Sequence, residues 1–184
     1  MTNFIIVHSI FESEEEIKTR LGNYIEVVKS NKLTAECQFV CDTPSRLAVT
    51  KWSEKPLVIL VATGGTEQSV AEIIKNFTLP VLMIAPNQKN AVAASLEIYS
   101  VYKHKKNILL KYVNSPLQLE IVLNDFIDAA NAIYNINKAK IGAIGSASDW
   151  LLTSKDLDSF GNFNTELKYL STDSLIDLVK ETEE

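Results

Sequence analysis

Polar side chains that are able to bind a small molecule come directly after a buried apolar segment of this chain. Residues 58–62 are continuously apolar, which is typical of a strand in a parallel sheet that helices cover on both faces. Ligands of open α/β sheets bind where such strands end. We therefore predict a ligand-binding loop made of the next six residues, Thr63, Gly64, Gly65, Thr66, Glu67 and Gln68. The alternative is a tight turn in which Thr66 caps the next helix and Glu67 stabilises its first turn.

A second polar loop follows another buried segment, residues 80–85. Its amide side chains, Asn87 and Asn90 with Gln88 between them, are suited to orient the hydroxyl groups of a polyol. The alternative is a turn in which the Asn90 side chain caps the helix that begins at residue 91.

A third loop, residues 145–150, follows the apolar segment 140–144. Here Trp150 is suited to stack on a sugar face, with Asp149 as a hydrogen-bond acceptor and Ser146 beside them. The alternative is a tryptophan packed between two domains. The glycines of this segment resemble those of a dinucleotide-binding turn only loosely. The third glycine and the acidic residue of that motif are missing, so we do not expect a nucleotide here.

The chain offers few residues for catalysis. It contains no nucleophile elbow, phosphate-binding loop of the Walker type or His-Glu-x-x-His pair. We interpret His8, at the end of the first predicted strand, as a structural histidine. Cys37 and Cys41 lie about 13 Å apart on a predicted strand, too far for a disulfide, and with two histidines they make a poor zinc site. We therefore assign no catalytic or metal-binding residue.

Charge and composition exclude several classes of protein. The 184 residues carry a net charge of −5 with a pI near 5.2, which disfavours a nucleic-acid partner. No apolar run is long enough to span a membrane, so no membrane partner is expected. The apolar residues 4–7 are too few for a secretion signal. Reduced cysteines and the lack of a signal predict a cytoplasmic protein.

Short apolar segments alternate with longer amphipathic ones along the chain. We predict strands at 3–8, 35–41, 57–62, 80–85, 107–113, 140–144 and 164–170, and helices at about 14–29, 67–77, 91–102, 116–136 and 172–180. Ser13 and Glu16 predict a capping box at the first helix. Its inward face is predicted to carry Ile17, Leu21, Tyr24, Ile25 and Val28. The alternation predicts a three-layer, doubly wound, mostly parallel α/β fold, Rossmann-like or flavodoxin-like. Residues 1–138 would form this domain, and residues 139–184 would complete its sheet or begin a second domain.

Four segments together resemble the N-terminal region of L-fucose/L-arabinose isomerase-like proteins. They are residues 60–67 (LVATGGTE), 80–97 (PVLMIAPNQKNAVAASLE), 140–145 (KIGAIG) and 148–152 (SDWLL). The resemblance implies a Rossmann-like domain that helps to form the substrate pocket of an aldose–ketose isomerase and takes part in a symmetric oligomer. In the full-length family Mn²⁺ is bound by residues of later domains, so the resemblance implies no cofactor in this chain. We expect a piece of a longer protein, inactive alone, whose partners are a sugar and either further copies or downstream domains.

Two other functions fit the same sequence. The polar loops suit a non-catalytic module that binds a sugar or another small metabolite. The terminal helix suits an oligomerisation domain, because an apolar face is predicted from Leu175, Ile176, Leu178 and Val179.

Overall fold

A computed structural model describes residues 2–31, 34–41, 55–75, 77–148 and 165–182, with the backbone alone for 34–41. The strands are β1 (Thr2–His8), β2 (Thr34–Cys41), β3 (Leu57–Val61), β4 (Val81–Pro86), β5 (Ile108–Val113), β6 (Lys140–Ile144) and β7 (Glu166–Leu170). The helices are α1 (Glu14–Ser30), α2 (Glu67–Lys75), α3 (Ala91–Tyr102), α4 (Pro116–Lys138) and α5 (Thr172–Thr182). Their ends agree with the sequence prediction to within two residues. The chain divides into two compact units, residues 1–131 and 132–184.

The first unit contains a five-stranded sheet in the order β2-β1-β3-β4-β5, with all neighbouring strands parallel. This is the strand order of flavodoxin-like folds. The predicted doubly wound α/β class is confirmed. Every residue of β3 and of β4 is buried, as expected for central strands with helices on both faces.

Two apolar cores lie on opposite faces of this sheet. Alternate residues of each strand point to opposite faces, so Phe4 and Ile6 enter one core while Ile5 and Val7 enter the other. Helices α1 and α4 cover the first face, and α2 and α3 cover the second. The predicted inward face of α1 is confirmed at all five positions, Ile17, Leu21, Tyr24, Ile25 and Val28.

Serine side chains cap the beginnings of α1 and α4. The capping box predicted at α1 is confirmed: the Ser13 N–H donates to Glu16 Oε2 at 2.7 Å, and the Glu16 N–H donates to Ser13 Oγ at 3.3 Å. At α4 the Gln118 N–H donates to Ser115 Oγ at 3.2 Å. These caps place the loops that precede both helices, and the loop before α1 forms part of the candidate site.

In the second unit β6 pairs with β7 in a separate, parallel two-stranded sheet. The Gly145 N–H donates to the Leu170 carbonyl at 2.8 Å, and Gly145 has a φ of +79°, which favours glycine. Helix α5 has no buried residue, and four of its apolar side chains are exposed: Leu175, Ile176, Leu178 and Val179. In the part of the chain that is described, no helix has the length and apolar character needed to cross a membrane.

Candidate functional site

A cleft opens at the carboxyl ends of β1, β3 and β4, where the strand order changes direction. From β1 the chain passes to β2 on one side of the sheet and then to β3 on the other. Ligands of doubly wound sheets bind at such a switch point. The cleft has a volume of about 610 Å³, within the range of small-molecule sites. It is lined by Ser9, Phe11, Glu12, Glu16, Thr63, Gly64, Gly65, Glu67, Lys89, Asn90, Ala93, Ala94 and Glu97.

The loop after β3 is held by its own hydroxyl groups. The Ser9 N–H donates to Thr63 Oγ1 at 2.8 Å, which joins this loop to the one after β1. The Thr66 hydroxyl donates to the Thr63 carbonyl at 3.0 Å, and Thr66 is fully buried. Thr63 therefore lines the cleft, whereas Thr66 stabilises the turn and is not among the lining residues.

Glu67 presents a carboxylate to the cleft from the first turn of α2. The Gly65 N–H donates to Glu67 Oε1 at 3.3 Å. Gly65 has a φ of +75°, a conformation that costs glycine nothing and other residues about 1–2 kcal/mol. The carboxylate accepts hydrogen bonds only, which suits it to the hydroxyl groups of a ligand.

The loops after β3 and β4 interlock at Gly64. Its N–H donates to the Lys89 carbonyl at 2.7 Å. A Cβ at position 64 would lie 3.0 Å from the Asn90 Cβ, closer than side-chain carbons normally approach. Position 64 is therefore restricted to glycine by the turn that faces it.

That turn has an unusual backbone. Lys89 and Asn90 both have left-handed conformations, with φ of 48° and 59°, and the Ala91 N–H donates to the Gln88 carbonyl at 2.9 Å. Two consecutive left-handed residues form a turn that strongly prefers asparagine and glycine. Lysine is unfavourable there, so the surrounding contacts must hold the turn in place.

The side-chain cap predicted as the alternative role of Asn90 is wrong. Asn90 stands at the N-cap position of α3, but its side chain makes no capping hydrogen bond. A capping residue needs an extended backbone to reach the helix N–H groups, and Asn90 is left-handed. Its amide is exposed instead, among the residues that line the cleft.

Arg20 of α1 joins three loops at the edge of the cleft. Its Nε donates to Glu12 Oε1 at 2.9 Å, Nη2 donates to Glu12 Oε2 and to the Ala62 carbonyl at 3.2 Å, and Nη1 donates to Gln88 Oε1 at 3.1 Å. The Arg20 and Glu12 side chains are only 18% and 12% exposed, so this ion pair is shielded from solvent. Neither Arg20 nor Glu12 was predicted from the sequence as part of the site, because Gln88 is 68 positions from Arg20 and no local pattern connects them.

Two further groups complete the rim. Phe11 is 91% exposed and lines the cleft, so its ring offers an apolar surface at the entrance. The hydrogen bonds from the Ser13 backbone and hydroxyl, with a contribution from the Lys89 charge, lower the pKa of the Glu16 carboxyl below its usual value. Glu16 is therefore a carboxylate at neutral pH. From the sequence, Glu16 was predicted only as a capping residue, and Phe11 was not identified.

His8, which the sequence analysis interpreted as a structural histidine, is not among the residues that line the cleft. Its Nδ1 lies 3.1 Å from the Ser9 carbonyl and 3.0 Å from the Glu12 carbonyl. Carbonyls only accept hydrogen bonds, so Nδ1 carries the proton. The imidazole is 3% exposed and stabilises the loop after β1.

The other predicted site residues lie elsewhere. Gln68 and Asn87 are exposed but are not among the residues that line this cleft. Ser146 is exposed after β6, in the second unit. Asp149 and Trp150 lie outside the described residues.

The carboxylates of the cleft do not fit a metal ion. In the described ranges no three or more His, Cys, Asp or Glu side chains are grouped closely enough to hold one. The Glu12 carboxylate is paired with Arg20, and the Glu16 carboxylate is bound by Ser13.

Comparison of the chain with models of protein families gives no match, and comparison with curated protein sequences gives no significant match.

Proposed function

We propose that this chain is the sugar-binding domain of an aldose–ketose isomerase-like protein, and that its cleft binds a pentose or a 6-deoxyhexose. One observation carries the proposal. Segments 60–67 and 80–97, two of the four on which the resemblance to these isomerases rests, both contribute residues to the cleft. The bond from the Gly64 N–H to the Lys89 carbonyl joins them.

The chemistry of the lining suits a sugar. The Glu67 and Glu97 carboxylates accept hydrogen bonds from hydroxyl groups, and the Asn90 amide both donates and accepts them. Buried hydroxyl groups need such partners, because an unpaired one costs about 1–3 kcal/mol. The Phe11 ring and the Ala93 methyl group offer an apolar surface to the C–H face of the sugar.

The proposal assigns binding to this chain and assigns the isomerisation to none of its described residues. We expect no ketose to form when the isolated chain is incubated with L-fucose or L-arabinose and added Mn²⁺. Formation of ketose would mean that this chain itself contains the catalytic residues.

Isothermal titration calorimetry with L-fucose and with L-arabinose tests the proposal. Sugar at 100 times its Kd adds about 2.7 kcal/mol to the free energy of unfolding, which raises the Tm by about 5–11 °C. Asn90→Gly, which keeps the left-handed backbone and removes the amide, is expected to weaken binding. Asn87→Gly is the matched control, because Asn87 is exposed in the same loop but does not line the cleft. The absence of heat and of a Tm shift with both sugars would overturn the proposal.

A second candidate is a stand-alone module that senses a sugar or another metabolite, and the polar rim of the same cleft favours it. The two candidate functions predict different affinities of the isolated chain for its ligand. A pocket that other domains complete is expected to bind weakly when isolated, because part of its contact surface is missing. A Kd in the micromolar range or tighter for the isolated chain would favour the stand-alone module.

A further inference from the structure

We propose that Arg20 is the positioning residue of the cleft: it holds the left-handed Lys89–Asn90 turn in the conformation that binds. The part of this inference that concerns affinity rests on the proposed sugar-binding function. The part that concerns the turn itself needs no ligand.

The contacts of Arg20 reach every loop that forms the cleft. Its guanidinium binds the Glu12 carboxylate after β1, the Ala62 carbonyl after β3 and the Gln88 amide oxygen after β4. A guanidinium presents five N–H donors in one rigid plane, which a lysine ammonium does not reproduce. Arg20 therefore fixes the three loops relative to one another.

The loop after β4 is the one that most needs this support. Lys89 is left-handed without being glycine or asparagine, which is unfavourable for the free chain. Among the described residues, two hydrogen bonds tie this turn to neighbouring loops: the bond from Arg20 to Gln88 at 3.1 Å and the bond from the Gly64 N–H to the Lys89 carbonyl at 2.7 Å. If the first is removed, the turn loses one of these two restraints.

Relaxation of the turn would displace part of the site. Lys89 and Asn90 line the cleft, and Asn90 lies against Gly64. A ligand that binds only the left-handed form has its apparent affinity reduced by the fraction of molecules in that form. If one molecule in about ten keeps the turn, the Kd rises about tenfold.

Hydrogen exchange of the ligand-free protein tests the turn directly. In Arg20→Gln we expect the amides of Gly64 and Ala91 to exchange about tenfold faster or more, because both donate to this turn. The Leu60 amide, in the middle of β3, is expected to keep its wild-type rate. Lys18→Gln is the matched control, since Lys18 is an exposed residue of the same helix whose salt bridge is to Glu14.

A rescue experiment separates positioning from general stability. Glycine adopts the left-handed conformation without cost, so in Lys89→Gly the turn no longer needs Arg20. Adding Arg20→Gln to Lys89→Gly is expected to change Gly64 exchange less than twofold. Gln88→Ala removes a single contact at an exposed position and is expected to give a smaller acceleration in the same direction. This variant keeps the test available if Arg20→Gln does not fold.

Binding of L-fucose, measured by calorimetry on the same variants, distinguishes the two proposals. If the wild-type chain binds L-fucose and Arg20→Gln binds it about tenfold more weakly, with the loss removed in the Lys89→Gly background, both proposals stand. If the wild-type chain binds neither L-fucose nor L-arabinose, the proposed function fails, while the exchange data still decide the role of Arg20. Equal exchange at Gly64 in wild type and in Arg20→Gln would overturn the inference, as would uniform acceleration that includes Leu60.

Discussion

Replacing Gly64 with alanine tests whether the loops after β3 and β4 interlock. The added methyl group would lie 3.0 Å from the Asn90 Cβ and 3.4 Å from the Asn90 carbonyl oxygen, where ordinary contacts begin at 3.4 Å. Asn90 must therefore move by several tenths of an ångström. It cannot move freely, because the Lys89 carbonyl beside it accepts the 2.7 Å hydrogen bond from the Gly64 N–H.

The expected cost follows from these two contacts. Overpacking of this kind costs about 1–3 kcal/mol, and weakening the hydrogen bond adds up to about 1 kcal/mol. We expect Gly64→Ala to lower the free energy of unfolding by about 2 kcal/mol, which lowers the Tm by about 4–8 °C. The displaced turn would also weaken the binding of L-fucose.

Equilibrium unfolding in urea measures the change, and Gly22→Ala is the matched control. Gly22 lies in α1 with no heavy atom within 4 Å of the added Cβ, so alanine there is expected to stabilise by about 0.5–1 kcal/mol. Wild-type stability and wild-type binding in Gly64→Ala would refute the interlock. An equal loss of stability in Gly64→Ala and Gly22→Ala would mean that replacing any glycine destabilises the chain, whatever the contacts at position 64.

Three further predictions follow from contacts in both units. Asn107→Ala removes two hydrogen bonds, of 3.1 and 2.8 Å, to main-chain carbonyls between α2 and β4. We expect it to lower the free energy of unfolding in urea by about 1–2 kcal/mol, and an unchanged free energy would contradict this. The folded protein lowers the pKa of Glu16, so the stability from this group is present above its ordinary value of 4.5 and is lost as the pH falls through the folded pKa. Glu16→Gln is expected to weaken the dependence of the unfolding free energy on pH below 4.5. An unchanged dependence would be inconsistent with the capping box. The apolar face of α5, where Leu178 is 62% exposed, predicts that the chain self-associates and that Leu178→Lys reduces this association. If light scattering shows the wild-type chain to be monomeric at every concentration, self-association is excluded.

Local patterns predicted the elements well. In α1 the apolar residues recur at the spacing of a helix, so the five that face the core follow from the sequence alone. The capping box at Ser13 and Glu16 is likewise a short-range motif. The same reasoning located the loops after β3 and β4, because continuous apolar strands end abruptly at polar residues there.

The internal arrangement of the site was not predictable in this way. Arg20 contacts Glu12 eight residues away, Ala62 42 residues away and Gln88 68 residues away, and only the folded sheet brings these groups together. A turn was predicted at residues 87–90, but its left-handed backbone was not, because Lys89 is neither the glycine nor the asparagine that normally signals such a conformation.

Thr66 and Asn90 illustrate the limit for individual side chains. Both are polar residues at the start of a helix, and the sequence gives each a binding role and a capping role. The Thr66 hydroxyl is fully buried and donates to Thr63, whereas the Asn90 amide is exposed on the cleft. For Asn90 the left-handed backbone prevents the capping role, and this conformation occurs in a turn that contacts the loop after β3.

An NMR titration of the ¹⁵N-labelled chain with L-fucose tests most directly whether the cleft is the sugar-binding site. We predict that the amide resonances of Gly64, Gly65 and Asn90 shift along one saturable curve while that of Lys18, on the exposed side of α1, stays in place. A spectrum without shifts at saturating sugar, or shifts confined to residues away from the cleft, would contradict the account.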